Sequence, residues 1–316
     1  MTGEGKTHEK GHHTRGHDRG GHWSSRNRQR KHDDRRHHED RRNQDEKRDS
    51  GVDESLPVVK MFRAFQLELD DRYDRYERLV KLGRDVTIES KRIIFLLHRI
   101  IRNEDKDKIL AEANRKICDL NTSALREIAM ELRGQSYYLY LRAFSPGVQE
   151  YVEAVTFFHY IKDGHLITLD DIHKALVFEE QPEEPESDTA AAESTSAGEN
   201  PPATFSLEIT PLDYMLGIGD LTGELMRKCI NAVGQGNLEE PFMLCSFLRD
   251  MYAAFLTFGN TAGRDMSRKV WTLCQSLRKV ENACYTIKVR GSEIPSHMLA
   301  DMFNTVYPEK ESPDCG

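Results

Sequence analysis

The sequence predicts an all-α protein, a bundle of about seven helices, on three observations. Apolar residues recur at intervals of three and four along most of the chain. No segment alternates apolar and polar residues convincingly enough to read as a strand. Ser or Thr followed by Pro, or by an acid three places on, punctuates the pattern where helices would start.

Ser55 with Pro57 opens the first helix, and Phe62, Phe65, Leu69, Tyr73, Tyr76 and Val80 then recur at helical spacing towards Arg102. A second pattern runs from Lys106 to Leu132 through Ile109, Ala113, Ile117, Leu120, Leu125 and Ile128. Ser145-Pro146 is read as the start of a third helix ending near Ile161, and Thr168 with Asp171 caps a short fourth. Thr210-Pro211-Leu212-Asp213 opens a fifth with cap, first-turn Pro and N3 acid together. Further helices are expected over 241–258, 264–288 and 296–303. Met215, Met226 and the Tyr137, Tyr138, Tyr140 cluster read as core or interface material.

Flanking these patterns are segments of another composition. Residues 1–50 hold 14 Lys/Arg, 10 Asp/Glu and eight of the 13 histidines, and residues 179–204 hold eight acids and no base. The division expected is therefore a disordered His/Arg-rich tail at 1–54, one helical domain over 55–178 and 205–303, a disordered acidic insertion at 179–204 and a C-terminal tail at 304–316. Within the first tail, Arg28, Arg30, Lys31, Arg35 and Arg36 form a basic run of the kind read by nuclear import receptors or RNA phosphates, with plain solvation the competing reading.

Composition narrows the function classes. No run of about 20 apolar residues would span a bilayer, and no apolar segment suits secretion, so a soluble, intracellular protein is expected. Six cysteines without a CxxC pair argue against a zinc ribbon or disulfide framework and for reduced thiols, mostly in the core. The net charge of −8 does not exclude nucleic acid, because a local basic face is what attracts phosphate. Arg84, Lys91, Arg92, His98, Arg99 and Arg102 form one candidate face, and Arg264, Arg268, Lys269, Arg278, Lys279 and Lys288 another.

Four acids carry the chemistry. Glu150 and Glu153 stand three apart on one predicted helix, and Asp220 and Glu224 four apart on another, so each pair shares a helix face and repels itself. Positions three and four away offer Glu150, Glu153 and Asp220 no cation, whereas Glu224 reaches Arg227 and Lys228. Three acids therefore need a partner from elsewhere: a divalent ion, or a basic side chain from another helix. Oxygen-only ligands favour Mg²⁺, with Mn²⁺ as the alternative. A di-iron site would call for Glu-x-x-His, which neither pair supplies; His159, six residues beyond Glu153, reads as a polar-edge residue. Gly217, Gly219 and Gly223 follow no strand, so they read as points of close helix approach rather than a dinucleotide loop.

Four strings, YERLVKLGRDVTIESKRIIFLLHR, VQEYVEAVTFFHYI, DLTGELMRKCINAVGQGN and KVENACYTIKVRGSEIPSHMLADMF, closely resemble the translin family over residues 56–178 and 205–303. The resemblance implies a translin-type helical bundle that assembles with translin into a closed hetero-oligomeric barrel around RNA. It further implies the catalytic subunit of a Mg²⁺-dependent endoribonuclease, present in cytoplasm and nucleus, that removes nicked passenger strands during activation of the RNA-silencing complex and processes tRNA fragments. The family's acidic motifs fall on Glu150, Glu153, Asp220 and Glu224, the first three as catalytic residues and all four as metal ligands. From the basic face of the first helix, Arg84, Lys91, Arg92 and Arg99 are the expected RNA contacts. The rival expectation is a non-catalytic scaffold that binds, stabilises and localises translin. A third, an oxidising di-metal enzyme, would carry iron.

Overall fold

Helices make up nearly all of the computed structural model, which describes residues 53–100, 103–180, 204–258 and 263–290. The all-α expectation holds. Two units are distinguished along the chain, 1–70 and 71–316. The described part of the first is mostly the opening of helix α1, where Leu56, Val58, Met61, Phe62, Phe65, Leu67 and Leu69 are all exposed.

Helix α1 runs Pro57–Leu97 with Pro57 at its first position, the one place where a missing N–H costs nothing. Within the second unit it buries Leu79, Gly83, Val86, Ser90, Ile93 and Leu97, a stripe at intervals of three and four. It stops short of the expected Arg102: the Arg99 and Ile100 amides bond the carbonyls of Leu96 and Leu97, tightening and closing the last turn.

The single helix expected from Lys106 to Leu132 is interrupted. α2 covers Asn103–Leu120, a π-helical turn follows over Asn121–Leu125, and α3 continues as Arg126–Glu131. Thr122 and Ser123 donate to the carbonyls of Cys118 and Asp119, and such back-bonding widens the turn.

The largest correction concerns α4, which spans Tyr137–Asp163 and carries Pro146 inside it. Ser145-Pro146 is not its start; Ser136, in extended conformation, stands at the N-cap. Burial of Tyr140, Ala143, Phe144, Gly147 and Val148 at helical spacing outweighs the one backbone hydrogen bond that Pro146 cannot make. Gly164 closes the helix at φ +77°, with its amide on the Tyr160 carbonyl.

Thr168 caps α5 (Leu169–Ala175) by accepting from the Asp171 amide, as expected. The expectation of no strands fails at one place. β1 (Val177–Glu179) and β2 (Thr204–Ser206) pair antiparallel, with Phe178 opposite Phe205, but three residues each are too few to show an alternation. Thr210 then caps α6 (Pro211–Gly234) through the Asp213 amide, again as read. α7 (Glu240–Leu256) and α8 (Gly263–Arg290) complete the described chain, and the helix expected over 296–303 lies outside it.

The core of the second unit is built chiefly from α4 against α6, α6 against α8 and α7 against α8. Cys229, Cys245 and Cys284 are buried in it, while Cys118 is exposed. Tyr140 is buried; Tyr137, Met215 and Met226 pack at the core's edge, and Tyr138 is exposed.

Candidate functional site

Two glycine contacts set the geometry of the acidic site. Gly83 of α1 and Gly147 of α4 face each other so closely that a Cβ on either would press on the other helix's backbone. Gly217 of α6 faces α4, where a Cβ would stand 2.7 Å from the Val152 side chain and 2.8 Å from the Gln149 carbonyl oxygen. Helix α4 is thus approached at close range by α1 on one side and α6 on the other. Glu150 and Glu153 lie one to two turns beyond Gly147, and Asp220 and Glu224 one to two turns beyond Gly217. A further glycine, Gly219, receives the side-chain stem of Lys269 from α8. Of the three glycines read as contact points, Gly217 and Gly219 are so placed, but a Cβ on Gly223 would meet open space, and Gly83 and Gly147 were not singled out.

The four acids converge electrostatically. Glu153 is buried, with its carboxyl pKa pushed up to about 8 by burial first, then by Asp220, Glu150 and Glu224, while Lys269 opposes the shift. Its carboxylate has no hydrogen bond or ion pair among the described residues. The other three acids each find a partner side chain from elsewhere in the bundle. Lys91 Nζ of α1 is 3.1 Å from Glu150 Oε1, and Lys269 of α8 pairs with Asp220. His98 Nε2, at the end of α1, is 2.5 Å from Glu224 Oε2, which Arg227 approaches at 3.4 Å. Cross-helix pairing, the alternative to a metal for Glu150 and Asp220, is therefore present for both.

Among the described residues no three His, Cys, Asp or Glu side chains stand close enough together to chelate an ion as they are placed. The donor set nevertheless suits a hard divalent cation. It is all carboxylate oxygen, and the burial first, then the neighbouring acids, that favour a proton on Glu153 are what such an ion would offset.

Several neighbours were not singled out from sequence. His98 and Lys269 were read only as members of basic faces. His98 is half-buried, its ring tilted against Phe157 at 4.9 Å, so packing as well as Glu224 fixes its orientation. A signal existed in the spacing: Arg84, Lys91 and His98 stand seven apart and share one face of α1. Asp213 was read as a cap acid. Its carboxylate is buried, accepting from Thr210 at 2.8 Å, Ser145 at 2.6 Å and Gln149 at 2.8 Å, which ties α6 to α4 one helical stretch before the acids.

Of the proposed RNA contacts, Arg84 and Arg92 on α1 and Arg99 in the turn after it are exposed, Arg92 paired with Glu89, and Lys91 is the residue on Glu150. His159 sits at the polar edge as read, 3.7 Å from Asp163, with burial lowering its pKa. Arg28, Arg30, Lys31, Arg35 and Arg36 lie outside the described residues.

The Translin family model matches residues 74–291, the stretch that contains all four acids. The chain belongs to the Translin family. Translin-associated protein X of Mus musculus is 49% identical over 279 residues, covering 88% of this chain and 92% of that protein. Its counterpart in Schizosaccharomyces pombe is 25% identical over 243 residues, covering 73% of this chain and 89% of that one. Translin of Mus musculus is 20% identical over 239 residues, covering 75% and 95%. Among solved structures, apo-NeC3PO is similar with a TM-score of 0.51 at 19% identity, over 72% of this chain and 95% of that one. The AfC3PO chain solved as a duplex RNA complex gives 0.52 at 18% identity, over 74% and 100%. Both likenesses concern the fold, and they agree with a Translin-family bundle whose helices bring the two acidic pairs together.

Proposed function

We propose that this Translin-family chain is the catalytic subunit of a Mg²⁺-dependent endoribonuclease that works in a hetero-oligomer with translin. One observation carries the reading: Glu150, Asp220 and Glu224, from two helices, all act electrostatically on Glu153, which is buried without a cation of its own. In this reading all four hold the ion, Mg²⁺ or Mn²⁺, with Glu150, Glu153 and Asp220 essential to turnover. The bound ion would supply an activated water and offset charge on the phosphoryl group.

The chain's own residues do the rest. Burial first, and the neighbouring acids after it, favour the protonated form of Glu153 at neutral pH, and it would bind a divalent cation as the carboxylate, with the proton passing to solvent. His98 fixes the orientation of Glu224 through Nε2, and Asp213 with Gln149 holds α6 against α4. Lys91 and Lys269, each paired with a carboxylate beside the site, would offer their ammonium groups as hydrogen-bond and charge partners to the phosphate oxygens of a bound strand. Exposed Arg84 extends the same cationic face of α1 along the path of the strand.

The partner follows from a different surface. The exposed apolar residues at the start of α1 have the composition of an interface core, and the relatives' name, Translin-associated protein X, suits a translin surface as their cover. Passenger-strand removal in RNA silencing and tRNA-fragment processing, in cytoplasm and nucleus, are the cellular tasks this reading assigns.

The test is cleavage of single-stranded RNA by the complex co-expressed with translin. Glu150→Gln, Glu153→Gln and Asp220→Asn should each abolish Mg²⁺-dependent cutting and leave assembly intact; full cleavage by these variants would overturn the reading. A second reading, a translin-binding scaffold without catalysis, is favoured by the Lys91–Glu150 and Lys269–Asp220 pairs, which satisfy two acids without an ion. Equal cleavage by translin with and without this chain would select it.

A further inference from the structure

A cavity of about 410 Å³ lies in the second unit, beside the acidic site, at the C-terminal ends of α1, α4 and α6 and the start of α7. The two share a wall. His98, whose Nε2 bonds Glu224, also lines the cavity. On α6, Asp220, Glu224, Lys228, Asn231 and Gln235 follow one another at intervals of four, four, three and four, so one helix face runs from the acids into the cavity. Glu224 and Asn231 are seven residues apart, roughly 10 Å along the axis. An RNA strand stacked at about 3.4 Å per nucleotide covers that distance in about three nucleotides.

The lining combines three kinds of group. Leu97, Ile161 and Ala232 give a buried apolar floor. Tyr160, held by a tilted contact with Phe247 at 4.6 Å, presents an aromatic ring at the side. The polar groups divide into committed and uncommitted ones. Lys228 pairs with Glu240 at 2.6 Å, and the Asn237 side chain accepts from the amides of Glu239 and Glu240, so these belong to the fold. The side chains of Asn231, Gln235 and Lys106 make no hydrogen bond or ion pair among the described residues, and Lys162 only grazes Asp163 at 3.8 Å.

We infer that this cavity is a nucleotide subsite, taking one unstacked base of the RNA strand together with its phosphate. The inference rests on reading the acids as a phosphodiester site, and it adds a place where the strand is held a few nucleotides from the cut. Asn231 and Gln235 each offer an amide donor and acceptor, the pair of functions that a base edge requires. The apolar floor and the Tyr160 ring cover the base, and Lys106 and Lys162 face the phosphate. The volume falls in the range of small-ligand sites.

Titration of the full chain with the four nucleoside 5′-monophosphates, without divalent metal, by calorimetry and ligand-observed NMR tests this. Saturable one-site binding of at least one of them is expected, weakened roughly fivefold or more by Asn231→Leu and by Lys106→Ala, restored by Lys106→Arg and unchanged by Glu150→Gln. Circular dichroism of the variants, at exposed Asn231 and half-buried Lys106, checks that they fold. No saturable binding, or equal binding by wild type, Asn231→Leu and Lys106→Ala, overturns the subsite. Binding that follows this pattern in a chain that supports no RNA cleavage keeps the subsite and removes the nuclease reading.

Discussion

With its carboxyl buried and three acids around it, Glu153 holds a proton up to about pH 8, well above its ordinary 4.5. A carboxyl raised in this way contributes stability that is complete below the unfolded value and is lost as pH climbs through the folded one. Metal-free protein should therefore lose stability between about pH 4.5 and 8, and Glu153→Gln should flatten that slope. The gain at pH 8 is on the order of a few kcal/mol, readable as a melting temperature that rises at pH 8 and hardly moves at pH 5. Mg²⁺ titrated at pH 7 should release close to one proton per site, seen as a dependence of calorimetric heat on the buffer's ionisation enthalpy; no dependence would show that Glu153 is already ionised. At His98 the expected effect is structural first. His98→Ala leaves Glu224 with Arg227 alone and should destabilise the protein by about 1–3 kcal/mol in chemical denaturation.

Among the elements, α4 shows what sequence could and could not reveal. Its acidic pair was legible because Glu150 and Glu153 have no cation within a turn, and the caps at Thr168 and Thr210 because each writes its signal within four residues. Its start was not, because Ser145-Pro146 looks like a beginning and only the burial of Tyr140 and Phe144 by other helices makes it an interior. The cations on Glu150 and Asp220 were hidden for the same reason: Lys91 and Lys269 are 59 and 49 residues away, a distance no periodicity spans. The glycines that align these helices give the prediction proper to this scale. Gly217→Ala should force α6 from α4, costing about 1–3 kcal/mol by overpacking and lowering cleavage more than any change at an exposed helix position, measured as melting temperature and rate together.

At the scale of the molecule, the charged and the apolar surfaces ask for different partners. In the proposed reading the acids and the Arg84–Lys91–His98 face serve a polyanion and its counter-ion, whereas exposed Phe62, Phe65 and Leu69 at the start of α1 serve another protein. Replacing Phe62 and Phe65 with Ser should abolish co-purification with translin on size exclusion while improving the solubility of the chain alone; unchanged co-elution would place the interface elsewhere.

The short ladder of β1 and β2 has a consequence for the covalent chain. It brings residues 179 and 204 opposite each other, and the long helices on either side of it in the chain, α4 and α6, pack extensively against each other. A peptide bond hydrolysed anywhere in 181–203 would leave both halves of the core in place. Such a protein would migrate as two fragments on a denaturing gel and as one body in a native column. Two separately expressed pieces, divided within that segment, should find each other and rebuild the acidic site, since one piece brings Glu150 and Glu153 and the other Asp220 and Glu224.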